Sequence, residues 1–178
     1  MSTYVALLRG INLAGRNKVP MPALRTLVEG LGYNDVSTYI QSGNLVVATS
    51  DSASVVGDKV TKAIAKEFGF DVPVLVRTRA QMKKVVEANP FAGKAKDDGD
   101  LHVVFLATKP AAGKVKALTG ADWGDDEVAV KGKEAYLHLP NGYGRANLNS
   151  MVVEKKLGVA ATARNWRTTT KLLDLAGA

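Results

Sequence analysis

The chain has 178 residues, 46% of them hydrophobic and 23% charged, which excludes a disordered protein and leaves room for one substantial core or two small ones. It has no cysteine, so a disulfide scaffold, a thiolate nucleophile and a cysteine metal site are excluded, and with only two histidines, His102 and His138, a zinc site is disfavoured. The balance of 24 basic to 17 acidic residues, a net charge of +7, points to acidic partners such as phosphates.

That excess is not a basic tail: the chain carries 11 basic and 7 acidic residues up to Pro90, and 13 and 10 beyond it. The longest apolar runs, such as Val103 to Ala107, fall far short of the roughly 20 residues that span a bilayer. Tyr4 to Leu8 is too short for the core of a signal peptide and lacks a basic segment before it. A cytoplasmic protein with no membrane contact is the expectation.

In chain order, TYVALLR at 3–9 has the short, apolar, β-rich character of a buried strand. Leu24, Leu27, Val28 and Leu31 then recur at helical spacing behind Pro22, and Gly32 closes the helix. VSTYIQ and NLVVAT flank Ser42-Gly43, a two-residue hairpin signal. From Ser52 onward, Val56, Val60, Ile64 and Phe68 form an apolar stripe, with Lys59, Lys62 and Lys66 on another face. VPVLVRT at 72–78 completes the order βαββαβ. A helix near 79–88 and the charged, glycine-bearing run Gly93 to Asp100 read as a linker.

LHVVFLA opens a second series: a helix near 110–119, strands near 126–131 and 134–139, a helix near 148–157 ending at Gly158, a short strand at 159–163 and a final helix at 166–176. Element order alone therefore predicts an α+β protein of two tandem ferredoxin-like (βαββαβ) units with antiparallel sheets and a helical linker, divided at 1–78, 79–100 and 101–178.

Between the first strand and the first helix lies RGINLAGRNKVP at 9–20, longer than the usual link of about 4–6 residues and rich in donors. GINLAGRN resembles a phosphate-binding G-x-x-x-x-G-K-[ST] loop, but Arg16 and Asn17 replace the lysine and the hydroxyl, and Pro20 and Pro22 intervene before the helix. An anion site of another kind, in which guanidinium, ammonium and amide groups converge on a phosphate or carboxylate, competes with a solvated loop whose asparagines serve turns.

Ser42 has no base nearby and no G-x-S-x-G around it. Both histidines fall in predicted strands, where a hydrogen-bonded imidazole is the default. The acidic groups Asp97-Asp98-Asp100 and Asp125-Asp126-Glu127 lack calcium-loop spacing and read as a linker and a turn. NGYGRANLNS at 141–150 is a second polar loop with an arginine: either Arg145 meets Arg9 or Lys18 at one cleft, if the two predicted units pack together, or the loop is structural and Asn147 or Asn149 caps the next helix. Asn165 stands where it caps the last helix, and Trp166 anchors that helix in the core or stacks on a base. The strand NLVVAT lacks the stacking aromatics of an RNA-recognition module, which disfavours that class.

RGIN at 9–12, NKVPM at 17–21, YIQSGN at 39–44, NPF at 89–91, YGR at 143–145, EKKLG at 154–158 and RNW with Thr168 together resemble the bacterial family known as domain of unknown function 1697 (DUF1697). The resemblance implies an α/β fold built from related halves and assigns no activity. Its recurring positions are Arg9, Asn12, Asn17, Lys18, Gln41, Ser42, Asn44, Arg145, Asn165 and Trp166, of which Arg9, Lys18 and Arg145 are expected to face a ligand. Ala146-Asn147 replaces the Ser-Lys common in the family, which removes a cation from that loop. The expectation is a binding protein for a phosphate-bearing ligand, a nucleotide or nucleic acid, held by Arg9, Lys18 and Arg145 with amide groups from Asn12 and Asn44. Asn17, Ser42 and Asn165 are also among the expected binding residues, with no cofactor and no metal. An enzyme acting on a small anionic or amide substrate and a protein-interaction scaffold are the alternatives.

Overall fold

The computed structural model describes residues 1–178, which form two compact units: Met1–Lys83 with Leu172–Ala178, and Lys84–Lys171. The first contains β1 (Ser2–Leu8), α1 (Met21–Glu29), β2 (Asn34–Tyr39), β3 (Asn44–Thr49), α2 (Ala53–Phe68) and β4 (Val74–Thr78). Its four strands pair antiparallel in the order β2-β3-β1-β4. Helix α3 (Arg79–Glu87) follows and crosses the division between the units.

Strands β1 and β3 are central and buried on both faces, which is why they read as unbroken apolar runs instead of alternating ones. On one face Tyr4, Ala6, Leu8, Leu45 and Val47 pack with Leu24 and Val28 of α1 and with Val56, Val60 and Ile64 of α2. Full burial of each such aliphatic side chain contributes about 1.5–3 kcal/mol. Ser52 caps α2 by accepting from the Val55 N–H at 3.4 Å, and Gly69, at φ 80°, ends it.

The second unit repeats the pattern with β5 (Leu101–Leu106), α4 (Ala112–Gly120), β6 (Glu127–Lys131), β7 (Glu134–His138), α5 (Ser150–Leu157) and β8 (Ala161–Asn165), in the strand order β6-β7-β5-β8. Helix α6 (Trp166–Gly177) closes the chain. Val104, Leu106, Leu137, Val153 and Leu157 lie at the centre of this unit's core. The molecule is thus α+β, with two four-stranded antiparallel sheets and six helices, consistent with two βαββαβ-like units. No helix is long and apolar enough to cross a membrane.

Three details differ from the sequence reading. The β2–β3 turn has four residues, 40–43, because Tyr39 pairs with Asn44, and Ile40 takes a left-handed φ of 49°. The run expected to be an open linker contains a 3₁₀ turn at Asp98–Asp100, held where Asp97 accepts from the Gly99 N–H at 2.8 Å. The last helix, expected wholly in the second unit, places Leu172–Ala178 in the first.

Candidate functional site

The long loop between β1 and α1 is held by its own side chains. Left-handed backbone recurs at Gly10, Asn12, Ala14, Gly15 and Asn17, with φ between 47° and 80°. Such residues persist only where their surroundings over-determine them, since each non-glycine position costs on the order of 1 kcal/mol or more. The surroundings here are hydrogen bonds. The Arg16 N–H donates to the Leu13 carbonyl at 2.8 Å and the Asn12 N–H to the Asn17 carbonyl at 3.0 Å, closing a small turn.

Asn12 is the brace of this loop. Its Oδ1 accepts from the Val19 N–H at 2.8 Å, while its Nδ2 donates to the Val19 carbonyl at 3.0 Å and to the Gln41 carbonyl at 2.7 Å. Asn17 Nδ2 donates to the Gly10 carbonyl at 3.0 Å. On the adjoining turn, the fully buried Asn44 donates from Nδ2 to the Tyr39 carbonyl at 2.9 Å and to Ser42 Oγ at 2.8 Å. Gly43 lets the two segments meet: a Cβ there would lie 2.6 Å from Leu8 Cβ and 2.8 Å from Ile11 Cδ1.

Of the residues singled out in the sequence, Arg9, Asn12, Asn17, Lys18, Ser42 and Asn44 therefore share this one unit, with the loop tied to the turn through Asn12. The asparagine amides, expected to contact ligand, are engaged in holding the backbone. Arg16 and Lys18 are exposed and Arg9 is half-buried, so the cations are the groups the loop presents.

Arg145 and Asn165 belong to the other unit. Arg145 ends an exposed 3₁₀ turn at Tyr143–Arg145. Asn147 and Leu148 donate their N–H groups to the buried Asp126 carboxylate at 2.6 and 3.2 Å, and Asn149 caps α5 by accepting from the Val152 N–H at 2.9 Å. Asn165 caps α6, accepting from the Thr168 N–H at 2.8 Å, and Trp166 is buried.

A pair that the sequence reading left apart also meets here. His138 Nδ1 lies 2.9 Å from Glu127 Oε1, and Lys94 Nζ lies 3.0 Å from Glu127 Oε2. The hydrogen bond with His138 and then the one from Lys94 hold the Glu127 carboxyl below its usual range. Phe91 stacks on the imidazole at 6.0 Å between ring centroids. The signal was available: counting outward from the two-residue turn Gly132-Lys133, the fifth facing pair is Glu127 and His138. His102 is different, because burial pushes its imidazole down to about 4 and its Nδ1 is buried without a hydrogen-bond partner, beside the Tyr143 ring at 4.6 Å.

The fold and the braced basic loop define an α+β protein of two sheet-and-helix units with an exposed cationic surface on the first. The chain belongs to the family described as Protein of unknown function (DUF1697), whose family model matches residues 1–136. The motifs at 9–21, 39–44 and 89–91 fall inside that span, and those around Arg145, Lys155 and Asn165 lie beyond it. In structure the chain is similar to a conserved bacterial protein, SP0830 from Streptococcus pneumoniae, with a TM-score of 0.77 and 23% identity over 98% of each chain, a likeness that establishes the fold alone. No curated protein matches the chain.

Proposed function

We propose that the first unit binds a phosphate-bearing ligand, a nucleotide or nucleic acid, through Arg9, Arg16 and Lys18 of the β1–α1 loop, and that Arg145 is a separate anion contact within the second unit's own polar loop. The observation that carries this reading is the Asn12 brace, which joins Val19 and Gln41 and holds a cation-bearing loop in a conformation of repeated left-handed residues. Preorganised cations bind an anion without first paying the entropy of ordering the loop. In this reading Asn12, Asn17 and Asn44 position the loop, Ser42 lies on the adjoining turn, and Asn165 serves the α6 cap.

A low-salt thermal melt with nucleotides, short RNA, duplex DNA and inorganic phosphate tests it, because a ligand selective for the native state raises the melting temperature. One ligand class is expected to raise it by several degrees in the wild type and to lose that effect in Arg16→Ala/Lys18→Ala, whose unliganded melt is unchanged. A nucleic acid is distinguished from a small nucleotide by affinity falling steeply with salt. No rise with any of them refutes the reading.

The His138–Glu127 pair favours a second reading, an enzyme acting on a small anionic or amide substrate. A carboxylate on Nδ1 orients an imidazole and leaves Nε2 to take or give a proton. Turnover of simple ester, amide or phosphate substrates that His138→Gln abolishes would support this reading, and turnover indifferent to that change would dismiss it.

A further inference from the structure

We propose that the groove between α1 and α2 is a docking site for an acidic amphipathic helix of a partner protein. The two helices turn Leu24, Val28, Val56, Val60 and Ile64 toward the sheet, and between their outer faces they leave an open groove of about 900 Å³. Leu27, Leu31 and Ala63, all half-buried, supply its apolar floor.

Its two walls differ in charge. The α1 side is formed by uncharged residues, whereas the α2 side carries Lys59, Lys62 and Lys66, with Glu67 at the end as the one acidic lining residue. These lysines stand at i, i+3 and i+7, so they share one helix face and run along about 10 Å of axis. Lys59 is oriented by Asp51, 2.7 Å from its Nζ, and lies 5.8 Å from the centre of the Tyr33 ring, while Lys62 and Lys66 are exposed.

An apolar floor beside a row of cations is complementary to a helix with an apolar stripe bordered on one edge by carboxylates at the same spacing. The openness of the groove favours a helix over an alkyl chain. A helix buries one stripe and keeps its polar face in water, whereas a chain laid in an open trough leaves half its surface wet.

The test uses the full chain and a fluorescein-labelled synthetic helix of about five turns, with leucines at i, i+3, i+4 and i+7 and glutamates flanking one edge. Fluorescence anisotropy is expected to show saturable binding of this peptide and none of a shuffled peptide of equal composition. Lys62→Glu/Lys66→Glu is expected to weaken the acidic peptide at least tenfold and to bind its lysine-for-glutamate counterpart instead. Ala23→Arg, at an exposed position on the α1 wall, is expected to block the groove. All these positions are exposed, so an unchanged circular-dichroism melt separates lost binding from lost folding. Failure of the acidic helix to saturate, equal binding of the shuffled peptide, or indifference to the charge reversal would each overturn the proposal. So would binding of dodecanoate in place of the helix, which would assign the groove to an alkyl ligand.

Discussion

At the scale of single residues, Gly43 and His102 carry the sharpest consequences. Gly43 has a φ of 87°, and a Cβ there would meet Leu8 and Ile11 well inside van der Waals contact. Both objections apply to alanine, so Gly43→Ala is expected to destabilise the protein by about 2 kcal/mol or more, read from chemical denaturation. Gly10→Ala, where open space surrounds the position and only the φ of 72° opposes a side chain, should cost about 1 kcal/mol. A Gly43 effect no larger than the Gly10 effect would show that the neighbouring side chains give way.

His102 couples stability to pH. Burial lowers its pKa from 6.5 to about 4, so between those values the unfolded chain binds a proton that the folded chain does not. Stability from this group is therefore complete above 6.5 and falls as the pH drops toward 4. The full difference is at most about 3 kcal/mol, and the ring's partial exposure reduces it. His102→Phe should flatten the stability profile between pH 5 and 6.5 while costing little at pH 7, because the buried Nδ1 has no hydrogen bond to lose. Glu127, whose carboxyl is held down by His138 and Lys94, adds its own loss only below its ordinary value of 4.5, and the difference between wild type and His102→Phe is what assigns the slope to His102. A slope unchanged in His102→Phe would place the titrating group elsewhere.

At the scale of elements, what could be read in advance follows how local each determinant is. The stripe Val56, Val60 and Ile64 lies within one helix, and its burial was legible from spacing. Both asparagine caps were similarly legible as side-chain types in position. Of the two asparagines considered for α5, however, geometry selects Asn149 and leaves Asn147 donating from Nδ2 to the Trp123 carbonyl at 3.1 Å. Replacing either cap, Asn149→Ala or Asn165→Ala, is expected to cost about 1 kcal/mol in a denaturation midpoint, whereas Asn147→Ala tests a side-chain bond at an exposed position and should cost less. Turn length was less legible. Ser42-Gly43 has the residues of a two-residue hairpin, but pairing Tyr39 with Asn44 requires four, and Ile40 is drawn into a conformation that its branched side chain disfavours.

At the scale of the whole molecule, the last helix decides how much of the chain each unit needs. Leu172 and Ala176 are buried and belong with Met1–Lys83, so deleting residues 172–178 should destabilise the first unit as well as shorten the helix. Hydrogen exchange read on β1 and β3 measures this. Faster exchange there in the truncated chain is expected, and unchanged protection would mean that the C-terminal turns contribute nothing to that unit's stability.

Element order, strand burial and the absence of any cysteine chemistry followed from the amino acids alone, because periodicity, composition and turn residues act over a few neighbouring positions. The same reading located the basic loop at 9–18 and the lysine face of α2. It could not tell what the loop's asparagines hold, since Asn12 meets Gln41 only after β1 and β3 have paired. Nor did it join Glu127 to His138, which depends on the β6–β7 register, or assign Leu172–Ala178 to the first unit. The tertiary structure settled these points because each depends on contacts between residues far apart in the chain, whose geometry exists only once the sheets have formed.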